Sequence, residues 1–286
     1  MSLGAEARNT IGVGDRTLGP DPVLVGVLNA TPDSFSEGGH FFSTEDAVSR
    51  AAAMLDEGAH VIDVGGESTR PGSDPVSPEE EARRVVPVVR GTVAGRPDAI
   101  VSIDTYRSET AEAALGAGAR IVNDVSALRG DPRMADVVAD ARCPVVLMHM
   151  LGEPKTMQLD PRYDDVVQEV RDFLAGRAEH AIAAGVEPEN IILDPGIGFG
   201  KTLGHNLTLL QHLDSLVQLG FPVLVGASRK SFIGRITGEE EARERVFGTV
   251  AANVISYERG ATFFRVHDVR ANRDALAVAR AIQRAY

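Results

Sequence analysis

The segment from Asn190 to Thr202 combines an acidic side chain, a glycine-rich loop and a lysine. Asp194 ends a short apolar run, which predicts a strand that brings this carboxylate to its C-terminal end. The glycines that follow let a backbone approach a ligand closely, and Lys201 with the N–H groups of the next helix could hold an anion. The segment also fits an ordinary strand-to-helix turn in which Thr202 caps the helix, because glycine-rich turns are common.

Polar side chains recur where further apolar runs of the chain end. They are Asn29, Thr69 and Arg70, Asp104, Asn123 and Asp124, His149, Asp194, Ser228 with Arg229 and Lys230, and Arg265 with His267. A single polar group at such a position usually faces water or caps the next helix, and this is the role expected for Thr105, Asp124 and Asp268. Polar groups after nearly every run indicate one site with acidic, amide and basic parts.

The types of these side chains constrain the ligand. Buried carboxylate and amide groups at Asp104, Asn123 and Asp194 suit a flat heterocycle that presents hydrogen-bond donors and acceptors in fixed directions. Cationic side chains suit an anion, such as phosphate or diphosphate, through charge-assisted hydrogen bonds. The cationic side chains are Arg70, Lys230, Arg265 and His267.

Metal binding is expected to depend on the ligand. Asn29 is too weak to hold a divalent cation alone, but diphosphate oxygens could complete the coordination shell of a magnesium ion. The seven histidines are scattered, and no histidine and cysteine cluster indicates zinc. The single cysteine, Cys143, lies at the start of an apolar run and is expected to be a small buried hydrophobic residue.

Composition narrows the class of protein. The chain has 286 residues, of which 43% are hydrophobic and 24% charged, and its formal net charge is −12. This balance is typical of a globular protein with a large core, and it argues against nucleic acid or an anionic membrane as a partner. No apolar run reaches membrane-spanning length, and residues 1–20 lack the hydrophobic centre of a signal peptide. A cytoplasmic enzyme or binding protein is expected.

Eight apolar runs alternate with helical patterns between residues 21 and 286. The runs are Val23–Leu28, His60–Val64, Ala99–Ile103, Arg120–Val122, Val145–Leu147, Ile191–Leu193, Val223–Val225 and Phe263–Phe264. Continuous apolar runs are typical of strands covered on both faces, and this repeat predicts an α/β fold, a single-domain (β/α)8 TIM barrel. A doubly wound open sheet is the alternative, weakened because no glycine-rich phosphate fingerprint follows the first strand. Residues 1–20 are predicted to form an N-terminal tail with a small hairpin that turns at Gly14 and Asp15.

Local signals mark where helices begin and end. Ser43 and Asp46 have the spacing of a capping box, and Gly58 is expected to end the helix that they begin. Ser77 before Pro78 marks the start of the next helix. Because a TIM barrel builds its active site at the C-terminal ends of the strands, the polar residues at the strand ends are expected to converge.

Seven motifs, in order along the chain, resemble those of the dihydropteroate synthase family of pterin-binding TIM barrels. They are Leu28-Asn-Ala-Thr-Pro-Asp-Ser-Phe-Ser36, Gly66-Glu-Ser-Thr-Arg-Pro-Gly72, Ser102-Ile-Asp-Thr105, Val122-Asn-Asp-Val-Ser126, Leu193-Asp-Pro-Gly-Ile-Gly-Phe-Gly-Lys201, Gly226-Ala-Ser-Arg-Lys230 and Arg265-Val-His-Asp268. The resemblance extends from Val23 to Tyr286. Ala30 stands where this family often has valine, and no motif departs at a polar position.

The resemblance implies a transferase of folate biosynthesis and a sulfonamide target. The reaction joins 6-hydroxymethyl-7,8-dihydropterin diphosphate to p-aminobenzoate, giving 7,8-dihydropteroate and diphosphate. The positions that match the family's pterin pocket are Asp104, Asn123, Asp194 and Lys230, with Phe199 as an apolar wall. Those that match its anion site are Arg265 and His267, together with Asn29 through magnesium. A homodimer is also implied.

Two loops of the chain resemble those on the p-aminobenzoate side of the family's site. They carry Asp33, Phe35, Thr69, Arg70 and Pro71. Gly226 and Ser228 belong to a further motif of the substrate site, in which Ser228 matches a p-aminobenzoate contact. The residues that the resemblance implies for catalysis are Asp33, Arg70, Lys230, Arg265 and His267.

The strand-end residues fit this chemistry by their own properties. Loss of diphosphate leaves positive charge on a methylene group attached to the pterin, and nearby carboxylates can stabilise that charge while cations stabilise the leaving group. No side-chain nucleophile is required. Lys230 is therefore expected to donate a hydrogen bond to the pterin rather than to form a Schiff base.

Three other functions stay open. A lysine-dependent barrel aldolase would use Lys201 or Lys230 and would be trapped by borohydride on a carbonyl substrate. A pterin-dependent methyltransferase is disfavoured because both loop motifs match the synthase. A catalytically silent pterin-binding homologue is disfavoured by four intact residues, which are Asn29, Asp33, Arg70 and Lys230.

Overall fold

Parallel strands and helices alternate through most of the chain in the computed structural model, which describes residues 9–31, 43–67, 76–153 and 155–285. The strands are β1 Ile11–Val13, β2 Arg16–Leu18, β3 Val23–Asn29, β4 Val61–Gly65, β5 Ile100–Asp104, β6 Ile121–Asp124, β7 Val145–Met148, β8 Ile191–Asp194, β9 Leu224–Val225 and β10 Phe263–Val266. The α-helices are α1 Thr44–Glu57, α2 Pro78–Gly95, α3 Ser108–Gly116, α4 Met134–Ala141, α5 Val166–Ala183, α6 Leu203–Gln211, α7 Asp214–Val217, α8 Ser231–Thr237, α9 Val246–Glu258 and α10 Val269–Gln283. Short 3-10 turns cover Pro188–Asn190 and Ala242–Glu244.

The strands β3 to β10 form one closed parallel sheet. Hydrogen-bonded neighbours run in the order β8, β7, β6, β5, β4, β3, β10, β9. The two outer strands of this order also meet, because Leu193 forms a parallel bridge with Val223 and its N–H donates to the carbonyl oxygen of Pro222 at 2.9 Å. The predicted (β/α)8 barrel is confirmed, and the open doubly wound sheet is wrong.

Alternation along the strands separates two apolar layers. Successive side chains of a strand point to opposite faces. Val25, Val61 and Ile121 belong to the cluster inside the barrel, whereas Leu24 and Ile62 belong to the larger cluster between the barrel and its helices. Both layers are apolar, which explains why the strands read as continuous hydrophobic runs.

The N-terminal hairpin closes the lower end of the barrel. β1 and β2 pair antiparallel, with Ile11 opposite Leu18, around a turn at Gly14 and Asp15. Ile11, Val13 and Leu18 are buried in the same cluster as the inward-facing strand residues. The predicted hairpin therefore exists, and it leaves the opposite, C-terminal end of the barrel for a ligand.

The helix signals act as the sequence predicts. Ser43 and Asp46 form a complete capping box at the start of α1, and Gly58 ends that helix with a left-handed backbone at φ 108°. The Ser77 side chain accepts a hydrogen bond from the N–H of Glu80 at the start of α2. Among the described residues, no helix is long and apolar enough to cross a bilayer.

Candidate active site

The upper half of the barrel interior is polar. Asp63 and Asn123 each lie two residues beyond an inward-facing apolar residue on the same strand, Val61 and Ile121 respectively. By the same alternation Asp104, Asp194 and Arg265 also face inward. All the strands are parallel, so these side chains meet at one end of the barrel.

Four of these side chains form one hydrogen-bonded cluster. Arg265 donates from Nε to Asp63 Oδ2 and from Nη2 to Asp104 Oδ2, both at 2.6 Å. Asn123 donates from Nδ2 to Asp63 Oδ2 at 3.0 Å. The cluster connects β10 with β4, β5 and β6, and it fixes the directions of a carboxylate, an amide and a guanidinium group.

Burial shifts the pKa values in this cluster. Burial raises the pKa of Asp104 to about 7, although Arg265 opposes the shift, and the charge of Asp63 adds to it. Burial would lower the pKa of Arg265, but Asp63 and Asp104 outweigh it and hold that pKa above its ordinary value. Arg265 therefore stays charged while Asp104 can change its protonation near neutral pH.

Asp194 presents one carboxylate oxygen to the barrel mouth. Its Oδ1 accepts a hydrogen bond from the N–H of Gly196 at 2.7 Å. A Cβ at Gly226 would come within 4.0 Å of Oδ2, so the glycine keeps space beside this oxygen. Burial raises the pKa of Asp194 to about 6, opposed by the Gly196 N–H and by the positive charges around it.

Lys230 and Phe199 face each other across the site. The Lys230 Nζ atom lies 4.0 Å from the centroid of the Phe199 ring, which is within the range of a cation–π interaction. The preceding residue, Arg229, has the unusual left-handed backbone of φ 59°. Two hydrogen bonds to Asp268, of 2.9 and 2.6 Å, hold Arg229 in this conformation and so orient Lys230.

Ser228 and His267 form a pair beside this lysine. The Ser228 Oγ and His267 Nδ1 atoms are 3.0 Å apart, and the backbone N–H of His267 donates to the same Oγ at 3.1 Å. Asn29 ends β3, and its partner in register on β4 is Gly65. Its half-buried side chain lies at the same end of the barrel as the other strand-end residues.

Five of the predicted site residues lie outside the described part of the chain. They are Asp33, Phe35, Thr69, Arg70 and Pro71. The described residues on either side of 68–75 are joined, because the Glu67 carboxylate accepts from the N–H of Val76 at 3.0 Å. Arg107 donates to both, at 2.7 Å to Glu67 and 2.9 Å to the carbonyl oxygen of Val76.

Several polar residues at the strand ends have structural roles. Asp124 accepts from the N–H groups of Ser126 and Leu128, as expected of a capping residue. Asp268 forms an ion pair with Arg229, and the Thr105 hydroxyl accepts from the N–H of Arg107. Both contacts agree with the structural roles expected for Asp268 and Thr105. Cys143 is buried, and burial raises the pKa of its thiol to about 11, as suits a packing residue.

Lys201 is buried and hydrogen-bonded within the protein. It is 3% exposed, and its Nζ donates to His149 Nδ1 and to the carbonyl oxygen of Phe199, both at 2.9 Å. The N-terminus of α6 is instead closed by a capping box between Thr202 and His205. The structure therefore favours the ordinary strand-to-helix turn over an anion site at Lys201, and the capping role of Thr202 is confirmed.

Asp63 is a member of this polar cluster that the sequence analysis did not predict. It lies in the middle of the run His60–Val64, which we interpreted only as a strand. A carboxylate inside an apolar strand is costly to bury unless it is paired. The acidic residue within the apolar run could therefore have indicated a buried carboxylate with a partner. Its partner, Arg265, is 202 residues away in sequence, so no local pattern connects the two.

The chain matches the family described as "Pterin binding enzyme" over residues 25–267. It is 49% identical over 283 residues to the dihydropteroate synthase of Neisseria meningitidis serogroup B, covering 96% of this chain and 98% of the relative. It is 47% identical over 261 residues to that of Synechocystis, covering 91% of this chain and 90% of the relative.

Solved structures give the same result. The Xanthomonas albilineans dihydropteroate synthase with 4-aminobenzoic acid superimposes with a TM-score of 0.91 at 46% identity, covering 97% of this chain and 99% of the other. The same enzyme in complex with 7,8-dihydropteroate gives a TM-score of 0.88 at 45% identity, covering 97% and 100%.

A closed (β/α)8 barrel with this polar mouth, matched over nearly its whole length, defines a pterin-binding enzyme, and the chain belongs to that family. Its activity is that of the dihydropteroate synthases. It is a transferase of folate biosynthesis that condenses 6-hydroxymethyl-7,8-dihydropterin diphosphate with p-aminobenzoate to 7,8-dihydropteroate and diphosphate.

Proposed function

We propose that dihydropteroate synthesis takes place in the polar mouth of the barrel, with the pterin ring held by Asp104, Asn123, Asp194 and Lys230. The observation that carries this assignment is the convergence of the carboxylates of Asp104 and Asp194 with the amide of Asn123 and two cations at one end of the sheet. Fixed acceptors of this kind suit the N–H edge of a flat heterocycle. Phe199 supplies an apolar wall on which the ring can lie.

The bond that breaks joins the pterin methylene carbon to the diphosphate oxygen. As it breaks, positive charge develops on the methylene and the conjugated ring, and the carboxylates of Asp104 and Asp194 stabilise it. Arg265 and His267 stabilise the negative charge that moves to the diphosphate. Arg265 is held by Asp63 through Nε, so its position is set before the substrate binds.

The amine nitrogen of p-aminobenzoate then bonds to the methylene carbon and loses a proton. Ser228, whose Oγ lies 3.0 Å from His267 Nδ1, is proposed to orient this second substrate. Asp33, Thr69 and Arg70, with Phe35 and Pro71, are proposed to complete the p-aminobenzoate side. No side chain forms a covalent intermediate in this scheme.

Magnesium is proposed as the cofactor, with Asn29 as its protein ligand. The described residues contain no group of three or more histidine, cysteine, aspartate or glutamate side chains that could hold a metal by itself. The amide oxygen of Asn29 is a hard donor at the end of β3, which fits a magnesium ion whose other ligands are substrate phosphate oxygens and water. The ion would neutralise charge on the diphosphate when bound.

An assay for diphosphate release tests the proposed function. Release is expected only when both the pterin diphosphate and p-aminobenzoate are present, and a chelator of magnesium is expected to abolish it. Release without p-aminobenzoate would contradict the condensation, and pterin binding without any release would identify a silent pterin-binding homologue. Formation of a methylated product would support the methyltransferase alternative.

Replacing Lys230 with methionine is expected to reduce kcat/KM about tenfold to a hundredfold, since a charge-assisted hydrogen bond to the pterin is lost. The Lys230 Nζ atom faces the Phe199 ring, which is a suitable position for a donor at the edge of the proposed pterin pocket. Steady-state kinetics on both enzymes measure this loss. Borohydride treatment of the wild-type enzyme with substrates, followed by mass spectrometry, should find no adduct on Lys230, and an adduct would revive the lysine-dependent aldolase.

A homodimer is proposed from the apolar surface of neighbouring helices. Leu207 of α6, Ile236 of α8, and Phe247 and Ile255 of α9 are exposed, with Phe247 at 86%. These helices contact one another, so the side chains belong to one side of the barrel. Exposed large apolar side chains on adjacent elements are typical of protein interfaces.

Replacing Phe247 with glutamate is expected to shift the protein from dimer to monomer, because a charge would be buried in the interface. Sedimentation at several concentrations measures the change. A wild-type protein that sediments as a monomer would contradict the proposal. The cytoplasm is the proposed compartment, which fractionation of the native cells can test.

A further inference from the structure

Lys201 is a buried cation that the proposed reaction does not use. Of the three lysines in the chain it is the one at the end of the glycine-rich loop after β8. Its Nζ donates to three acceptors: His149 Nδ1 at 2.9 Å, the carbonyl oxygen of Phe199 at 2.9 Å and the carbonyl oxygen of His149 at 3.4 Å. All three ammonium hydrogens therefore have acceptors, and none of these acceptors carries a formal charge.

These bonds join two loops of the barrel mouth. His149 directly follows β7, and Phe199 lies in the loop after β8. The two loops pack so closely that a Cβ at Gly196 would overlap the carbonyl oxygen of His149 and one at Gly200 would come within 2.5 Å of that of Leu151. Both glycines have positive φ, so the loop is shaped for this approach.

The bond to the Phe199 carbonyl fixes the backbone that carries the aromatic wall. The Phe199 ring faces Lys230 Nζ at 4.0 Å. Tyr163 holds the same loop from the other side, because its hydroxyl donates to the carbonyl oxygen of Gly200 at 2.9 Å. Removal of the Lys201 ammonium would leave the Phe199 carbonyl oxygen without this donor inside the protein, and the ring would lose its anchor.

The ammonium also acts on Asp194 through its charge. Asp194 and Lys201 lie at the two ends of the same loop. The charges of Lys230 and Arg265, and to a smaller extent that of Lys201, lower the pKa of Asp194. The His149 ring is neutral where Asp194 titrates and adds no positive charge of its own, because burial, Lys201 and Arg129 lower its pKa to about 3. Burial lowers the pKa of Lys201 itself to about 7, so it is charged in the pH range where Asp194 titrates.

We propose that Lys201 is a positioning residue of the pterin site, which joins the loops after β7 and β8, anchors Phe199 and supports the ionised form of Asp194 by its charge. This inference rests on the proposed function, since it assigns Phe199 and Asp194 to the pterin. Lys201 itself touches no substrate in this scheme.

Two substitutions of Lys201 separate the anchoring of Phe199 from the effect of the charge on Asp194. Lys201→Met removes both the hydrogen bonds and the charge, whereas Lys201→Gln removes the charge and keeps two N–H donors on a side chain that is one atom shorter. Lys155→Met, at an exposed lysine after β7, is the matched control. For each variant the pterin KM, the p-aminobenzoate KM and kcat are measured between about pH 5 and pH 8.5, where the relevant carboxylates titrate.

Lys201→Met is expected to raise the pterin KM about tenfold, the equivalent of one lost hydrogen bond to a buried carbonyl, with little change in the p-aminobenzoate KM. Both Met and Gln variants are expected to move the acid limb of the pterin kcat/KM profile to higher pH, because a positive charge that lowers the pKa of Asp194 is gone. The control should reproduce the wild-type profile. Lys230 and Arg265 remain in every variant, so the shift reports Lys201 alone.

An unchanged acid limb in Lys201→Gln would overturn the electrostatic part, and an unchanged pterin KM in Lys201→Met would overturn the anchoring part. Circular dichroism and melting curves check folding, and the glutamine variant carries the pH test if the methionine variant does not fold. A wild-type enzyme without condensation activity would instead refute the proposed function.

Discussion

Replacing Asp194 with asparagine is expected to weaken pterin binding by about 2–5 kcal/mol, because the buried carboxylate is replaced by a neutral amide that cannot accept from two pterin N–H groups. Its Oδ1 already accepts from Gly196, and Gly226 leaves space beside Oδ2, so the shape of the pocket should survive the change. Calorimetric titration with a pterin measures the loss, and a melting curve checks that the fold is intact. Asp172→Asn, at an exposed aspartate of α5, is the matched control.

The same variant predicts a change in pH dependence. Burial raises the pKa of Asp194 to about 6, so its acceptor form is lost as the pH falls through that value. Wild-type pterin affinity should therefore decrease below about pH 6. The Asp194→Asn variant should lack this decrease in affinity near pH 6. It should keep the decrease that accompanies protonation of Asp104, because burial raises the pKa of Asp104 to about 7. Equal affinity in the variant and the wild type would refute the role of Asp194.

Replacing Asp63 with alanine is expected to destabilise the fold by about 3–5 kcal/mol, because it breaks the ion pair between a fully buried carboxylate and the half-buried guanidinium of Arg265. Asp63 is fully buried and accepts from both Arg265 and Asn123, while its Oδ1 has no hydrogen-bond partner among the described residues. Denaturant unfolding measures the loss of stability. Titration with a pterin is expected to show weaker binding, because the side chains of Asn123 and Arg265 lose the acceptor that fixes their directions.

A double variant tests the cause of that loss. Asp63→Leu combined with Arg265→Met removes both charges and should recover most of the stability while remaining inactive, since replacing a buried ion pair by apolar residues is often neutral. A single Asp63→Ala variant as stable as the wild type would show that the pair contributes nothing to the fold. An active double variant would remove Arg265 from the mechanism.

The elements of the fold follow from local pattern. Continuous apolar runs predicted the eight strands, and their boundaries shifted by only a few residues; β4, for example, extends from Val61 to Gly65 instead of from His60 to Val64. The capping box of Ser43 and the glycine at position 58 were readable because a cap is a contact within four residues along the chain. His60 lies just before the strand and is joined to Leu24 of β3 by two hydrogen bonds, one from its own N–H and one to its Nδ1.

The amino-acid sequence by itself determined which polar residues lie at the C-terminal end of the barrel. All eight strands are parallel, so the polar residue that ends each apolar run lies at that same end. Only the tertiary structure decided their partners. Lys201 and Lys230 both lie in the segment that joins a strand to the next helix, yet Lys201 is buried against His149 and Lys230 faces Phe199. The pairing of Asp63 with Arg265 likewise depends on the closed sheet, since hydrogen bonds between distant segments leave no periodic trace in the chain.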